Sequence, residues 1–223
     1  MIQKLTLPLI DFDIQHPDTA LELQGARFDV NRVNWPESFP YAPFCCGRIA
    51  RTKDALVVDF CVTGLDLRAQ NTDDNGRQWE DSCVEVFIQD PDGSRYYNFE
   101  INPLGKVLAC SGADRNKRSP RPKEEMKQIL RFTQNDCFGQ GDNHPEEATP
   151  TKDLEGVHSW RVGIVIPFRL IGLDPGRLPE KIRANFYKCG DKTAHPHFLS
   201  WNPVLTEKPD FHRPDFFGEL YLI

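Results

Sequence analysis

Two groups of side chains in this sequence have the types and spacing to hold a small polar molecule. Trp79 and Glu85 stand six positions apart in "RQWEDSCVEVFIQD", so an extended backbone presents both on one face. "YYNFEIN" adds Asn98, Glu100 and Asn102 at alternate positions, and the closing "FHRPDFFGELYLI" contributes Phe211. Aromatic rings beside carboxylates and amides suit a sugar. The C–H faces of a pyranose pack on a ring, and its hydroxyls need convergent donors and acceptors. The same acids admit a second chemistry: Glu85 and Glu100 on adjacent strands would make a carboxylate pair. A glycosidase needs two such groups about 5 to 9.5 Å apart, one with a raised pKa. Neither G-x-S-x-G nor H-E-x-x-H accompanies them.

The elements that must position these groups read as strands. "ALVVDFCV" puts Leu56, Val58, Phe60 and Val62 on one face, and "SCVEVFIQ" puts Val84, Val86 and Ile88 inward with Cys83, Glu85 and Phe87 opposite. "YYNFEIN" turns Tyr97, Phe99 and Ile101 inward, and Tyr96, Asn98, Glu100 and Asn102 outward. "SWRVGIVIPF" supplies the inner row Trp160, Val162, Ile164 and Ile166, while "IRANFYK" supplies Ile182, Ala184 and Phe186, with Arg183, Asn185 and Tyr187 outside. Turn signals such as "DPDG" and "NPLG" separate the runs. The pattern is that of an all-β, antiparallel, jelly-roll-like β-sandwich in one domain over residues 1–223. Antiparallel sheets commonly leave one face in water, which alone would account for the outward polar row. Asp81 reads as a turn or strand-entry residue.

One stretch breaks the rhythm. Residues 111–157 are polar and rich in Pro and Gly, and read as a long insertion between strands. A short helix is expected within 123–133, with Met126, Ile129 and Leu130 on one face. Its basic run "RNKRSPRPK" lacks interleaved aromatics and reads as a solvated loop. The formal net charge of −6 argues against a nucleic-acid or anionic-membrane partner. No apolar run is long enough to span a membrane. Seven cysteines, scattered and without CxxC, read as reduced thiols, not a disulfide framework, and they argue against zinc. With no signal-peptide pattern after Met1, the expected location is cytoplasmic if Met1 is native, and periplasmic or secreted if a leader preceded it.

"WEDSCVEVFI", "YYNFEIN", "LSWNPV" and "FHRPDFFGELYLI" together resemble the family 9 carbohydrate-binding modules, best over 48–99 and 160–223. The resemblance implies a non-catalytic β-sandwich that binds xylan- or glucan-derived oligosaccharides between two aromatic side chains. By position, Trp79 is one wall and Phe211 falls where the family has a second tryptophan. Glu85 accepts from sugar hydroxyls, Asn102 is a hydroxyl-binding amide, and Glu100 stands where an arginine is expected. The resemblance makes Trp201 structural. Calcium accompanies the family fold, and "NTDDNG" at 71–76 and "DPDG" at 90–93 offer carboxylates, although solvated acidic turns explain both. Other readings stay open. A haem site would need an axial ligand such as Met126, His195 and His197 in "HPHF" are two ligands of a conceivable metal site, and exposed aromatics also mark protein interfaces.

Overall fold

The computed structural model describes residues 1–134, 151–154 and 156–222, so Cys137 lies outside the described residues. The strands stack as two sheets. In the first the order is β1 (Lys4–Thr6), β15 (Gly218–Tyr221), β13 (Lys181–Cys189), β6 (Cys83–Gln89), β7 (Tyr96–Ile101), β8 (Val107–Gly112) and β9 (Arg118–Pro120). The short β14 (Phe198–Ser200) pairs with both β13 and β3 (Arg32–Val33). The second sheet runs β10 (Leu130–Gln134), β12 (Val157–Pro167), β5 (Ala55–Gly64), β4 (Phe44–Arg51) and β2 (Ala26–Asp29), with β11 (Thr151–Leu154) also on β12. Pairing is antiparallel except at the edge, where β1 lies parallel to β15. The mostly antiparallel sandwich matches the alternation in the sequence.

The inner rows meet as expected. Val84, Val86, Ile88, Phe99 and Ile101 face Leu56, Val58, Phe60, Val162 and Ile164 in one buried apolar cluster. Trp201 joins it against Phe186, ring centroids 5.3 Å apart. One cation intrudes into this layer. Lys188 is buried beside the Trp160 ring and donates to Cys189 O and to His197 Nε2, 2.8 Å away.

The stretch 111–157 is more than an insertion. It is the crossover between the sheets and gives β9 to one and β10 and β11 to the other. The helix, α2, is only Lys123–Met126; α1 is Pro17–Gln24. From Leu130 the chain is an edge strand, since pairing with β12 gives the inward-facing backbone groups partners and Gly163 leaves room for the Phe132 ring. Met126 and Ile129 are buried in the main core. The basic run is also not simply solvated. Arg121 reaches Ser111 Oγ and Leu170 O and lies over the Tyr97 ring, while Arg118 is drawn inward.

Candidate functional site

The register of β13, β6 and β7 builds the floor of the site. Tyr187 is opposite Glu85, and Glu85 opposite Glu100, so these three side chains form one row across the outward face. The adjacent rows are Asn185, Phe87 and Asn98 on one side, and Cys189 with Cys83 on the other. This face is not wet. Glu85 is 3% exposed, Glu100 2% and Asn98 0%. The segment 198–217 covers it, and a second apolar cluster of Trp35, Phe87, Tyr96, Tyr187, Phe211 and Phe217 packs beneath that cover. Asn185 pins the cover down: its Nδ2 donates to Asn202 O and Phe216 O, and its Oδ1 accepts from Asn202 N and Phe186 N. Arg183 adds donations to Asp215 O and Phe217 O.

A cavity of about 230 Å³ remains between floor and cover. Trp79 and Phe211 both line it, with Glu85, Glu100, Arg115, Arg118, His212 and Cys189 among the other linings. Trp79 sits in a 3₁₀ turn, Gln78–Glu80, rather than on an extended strand. That turn is tied to the end of β13 by donations from Asp191 N to Trp79 O and from Lys192 N to Glu80 O. Phe211 is stacked on Tyr187, centroids 4.0 Å apart and planes 9° off parallel, so one of its faces is already used. Tyr187 Oη donates back to Phe211 O, which locks the pair.

The floor is a cluster of buried polar groups. Glu100 Oε1 accepts from Asn98 Nδ2 at 3.0 Å and from Arg118 Nη1 at 3.3 Å, whereas its Oε2 is buried without a protein partner. Burial pushes the Glu100 carboxyl up to about 7, against the pull of Arg118. Burial, and then the nearby charge of Glu100, raise Glu85 well above the usual carboxylate range. Cys189 Sγ–H donates to Glu85 Oε1 at 3.1 Å. His212 is held neutral, its pKa lowered to about 3 by burial and then by Arg118 and Arg115, with Nδ1 2.9 Å from Tyr96 Oη. When Tyr96 donates to Nδ1, the opposite nitrogen carries the proton. The floor then holds acids, a guanidinium and a neutral imidazole, all of them hydrogen-bonding groups.

The family model for carbohydrate-binding family 9 matches residues 15–222. The chain belongs to carbohydrate-binding family 9. Its function is carbohydrate binding, as the motifs imply. A crystal structure from Bacteroides uniformis, of a candidate carbohydrate-binding protein, is similar to this family 9 module at 31% identity, with a TM-score of 0.83 and 100% of each chain covered. Two family 9 structures from Caldicellulosiruptor kristjanssonii share the fold, with TM-scores of 0.58 in complex with cellotriose and 0.52 in complex with glucose. Their identities are 12% and 13%, over 99% of this chain and 93% and 96% of theirs. No curated protein matches the chain.

Of the side chains singled out from the sequence, four line the cavity of this family 9 module: Trp79, Glu85, Glu100 and Phe211. Asn98 stands behind Glu100 and reaches the cavity only through it. Asn102 does not line the cavity, which corrects the expectation that its amide meets a ligand. Its Nδ2 donates to Asn71 O and Asp81 Oδ2, and its Oδ1 accepts from Leu104 N and Lys106 N, so nothing is left over. Asp81 serves the same turn and accepts from Gln70 N and Asn71 N. Sequence reasoning missed Arg115, Arg118, His212 and Cys189. For Arg118 a signal existed: the resemblance implies an arginine where Glu100 stands, and β9 delivers one from the basic run to within 3.3 Å of that carboxylate.

The metal expectations divide. Asp74 is committed to Arg131 and to Val107 N, and Asp90 and Asp92 accept from donors within their own turn. Among the described residues neither acidic turn gathers three acidic side chains at one point. His195 pairs with Asp66, and His197 bridges His195 O and Lys188, so the two rings share no metal position. The group that does converge is Cys83, Glu85 and Cys189, whose ligand atoms lie within 4.8 Å of one another.

Proposed function

We propose that the cavity between Trp79 and Phe211 takes a single sugar ring at the end of a glucan or xylan chain. The observation that carries this is Glu100, which lines a cavity bounded by two aromatic side chains and whose Oε2 is buried without a protein partner. An unsatisfied buried acceptor costs about 1–3 kcal/mol, which a sugar hydroxyl returns. Trp79 is only partly buried and offers a ring face; Phe211 offers the part that Tyr187 leaves open. Glu85, Glu100, Arg118 and His212 supply donors and acceptors for the ring hydroxyls, and Asn98 orients Glu100. The size supports an end over an internal segment: about 230 Å³ lies just below the ~300–1,000 Å³ of ordinary small-molecule pockets.

Geometry also supports binding without cleavage. Glu85 and Glu100 are direct cross-strand neighbours in one floor, whereas glycosidase carboxyls flank the scissile bond. Calorimetry with gluco- and xylo-oligosaccharides tests the proposal. One binding event per chain is expected, with an affinity that changes little from mono- to tetrasaccharide and falls about 10- to 100-fold in Trp79→Ala. No heat and no chemical-shift change with either series would remove it. Sugar release by the wild type but not by Glu85→Gln would replace it with hydrolysis.

A further inference from the structure

We propose that Cys83, Glu85 and Cys189 form a binding site for a thiophilic divalent cation of the Zn²⁺ type, set into the floor of the cavity. The site shares Glu85 with the sugar reading but does not depend on sugar binding. Its ligands come from two adjacent strands. Cys189 of β13 is directly opposite Cys83 of β6, and Glu85 follows Cys83 by two residues on the same face. The two sulfurs and a carboxylate oxygen lie within 4.8 Å of one another, and the Cys189 sulfur is 3.1 Å from Glu85 Oε1. Zinc binds sulfur at about 2.3 Å and carboxylate oxygen at about 2.0–2.2 Å, which in a tetrahedron separates the donors by about 3.5–3.8 Å. The set therefore closes on an ion by side-chain movements of about one ångström, from ligands fixed on paired strands.

The donor chemistry selects the ion. Two sulfurs and one oxygen favour zinc or cadmium, while calcium and magnesium take oxygen alone. The surroundings select the form of the site. Glu85 and Cys189 line the cavity and Cys83 stands behind them, so a fourth coordination position faces the cavity. Three protein ligands with one exchangeable position is the open type of zinc site, and a water or a ring hydroxyl would complete it. The absence of CxxC in the sequence does not bear on this pair. Cysteines brought together across a sheet need no proximity along the chain.

The test uses the full chain, kept reduced with a phosphine and titrated with Cd²⁺ alone and then Zn²⁺ alone. One equivalent of Cd²⁺ is expected to raise a sulfur-to-cadmium charge-transfer band, and Zn²⁺ to displace it. Cys83→Ser and Cys189→Ser should each weaken uptake by more than the about 10- to 100-fold that losing a supporting partner costs. Cys46→Ser should leave the titration unchanged. If the serine variants fail to fold, X-ray absorption at the zinc edge of the wild type decides: two sulfurs and one or two oxygens support the site, and a shell of oxygen or nitrogen alone overturns it. No band with reduced protein, or a band lost in Cys46→Ser instead, also overturns it. Because no sugar is present, failure here leaves the sugar site standing, and sugar binding by chelator-treated protein is measured separately.

Discussion

Strands β13, β6 and β7 bury both of their faces, and they do so by different means. The inner face carries Val84, Val86, Ile88, Phe99 and Phe186 against the second sheet, a cluster in which each side chain needs only shape and apolarity. The outer face carries Glu85, Glu100, Asn98, Asn185 and Tyr187, equally removed from water, under a segment that returns from the chain's end. Apolar contact holds the first. Named hydrogen bonds hold the second, and two acceptors, Asn98 Oδ1 and Glu100 Oε2, are left without a protein partner. A face buried in this second way is built to bind.

Truncating the inner face should give the largest effect and leave the outer face competent. Phe99 is 2% exposed in the main core, and Phe99→Ala is expected to cost about 3–5 kcal/mol of folding stability, read from urea denaturation. The folded remainder should still bind sugar with wild-type affinity. A large loss of affinity per folded molecule would mean that the two faces are not separable.

Cutting the cover loose should give an intermediate effect of the opposite pattern. Asn185→Ala strands the Asn202 carbonyl, removes one of two donors to Phe216 O, and takes the side-chain acceptor from Asn202 N and Phe186 N. The expected cost is about 1–3 kcal/mol, with faster hydrogen exchange across 198–217 and weaker sugar binding, because Phe211 and His212 ride on that segment. Unchanged exchange there would show that apolar packing alone holds the cover.

The difference between the faces also explains what the sequence discloses. Period-two alternation marks Val84, Val86 and Ile88 as inner and Glu85 as outer, because side-chain direction is a local property of a strand. Whether the outer face is covered depends on where residues more than a hundred positions away return, and alternation carries no record of that. Trp79, Glu85, Glu100 and Phe211 were legible through motif and chemistry together. Asn102 was misplaced because an outward amide on the strand row and an amide closing a turn look alike in sequence. Arg118 was read as a solvated charge because its burial comes from β9 joining the first sheet, which the short, polar "RSP" does not announce. The short helix expected within 123–133 forms but ends at Met126, because apolar residues at helical spacing also suit a turn followed by a strand.

The smallest effect sharpens the comparison most, since only charge distinguishes the faces here. Glu100 titrates near 4.5 when unfolded and near 7 when folded, so between these values the native state holds a proton that the unfolded state has released. Stability from this group therefore falls as pH rises from about 4.5 to about 7 and is level above and below, with a slope of at most ~1.4 kcal/mol per pH unit. Buried neutral histidines oppose it. His197 and His212 are lowered to about 2 and about 3, so below 6.5 the unfolded state takes up protons that they refuse, and stability rises with pH. Lys188, lowered by burial, acts in the alkaline range and with the same sign as the histidines. Glu85, and Asp191 lifted from 3.8 to about 6, act with the sign of Glu100, so the wild-type curve is a sum of opposed slopes from which Glu100 must be separated by mutation. Glu100→Gln keeps the shape of the protonated acid, removes its titration and takes away the charge that helps raise Glu85. Its stability relative to wild type should climb from about pH 4.5 to about pH 7 and then hold constant, read from urea midpoints across the range. Parallel curves would place the Glu100 carboxyl in water and return the outer face to an ordinary wet sheet.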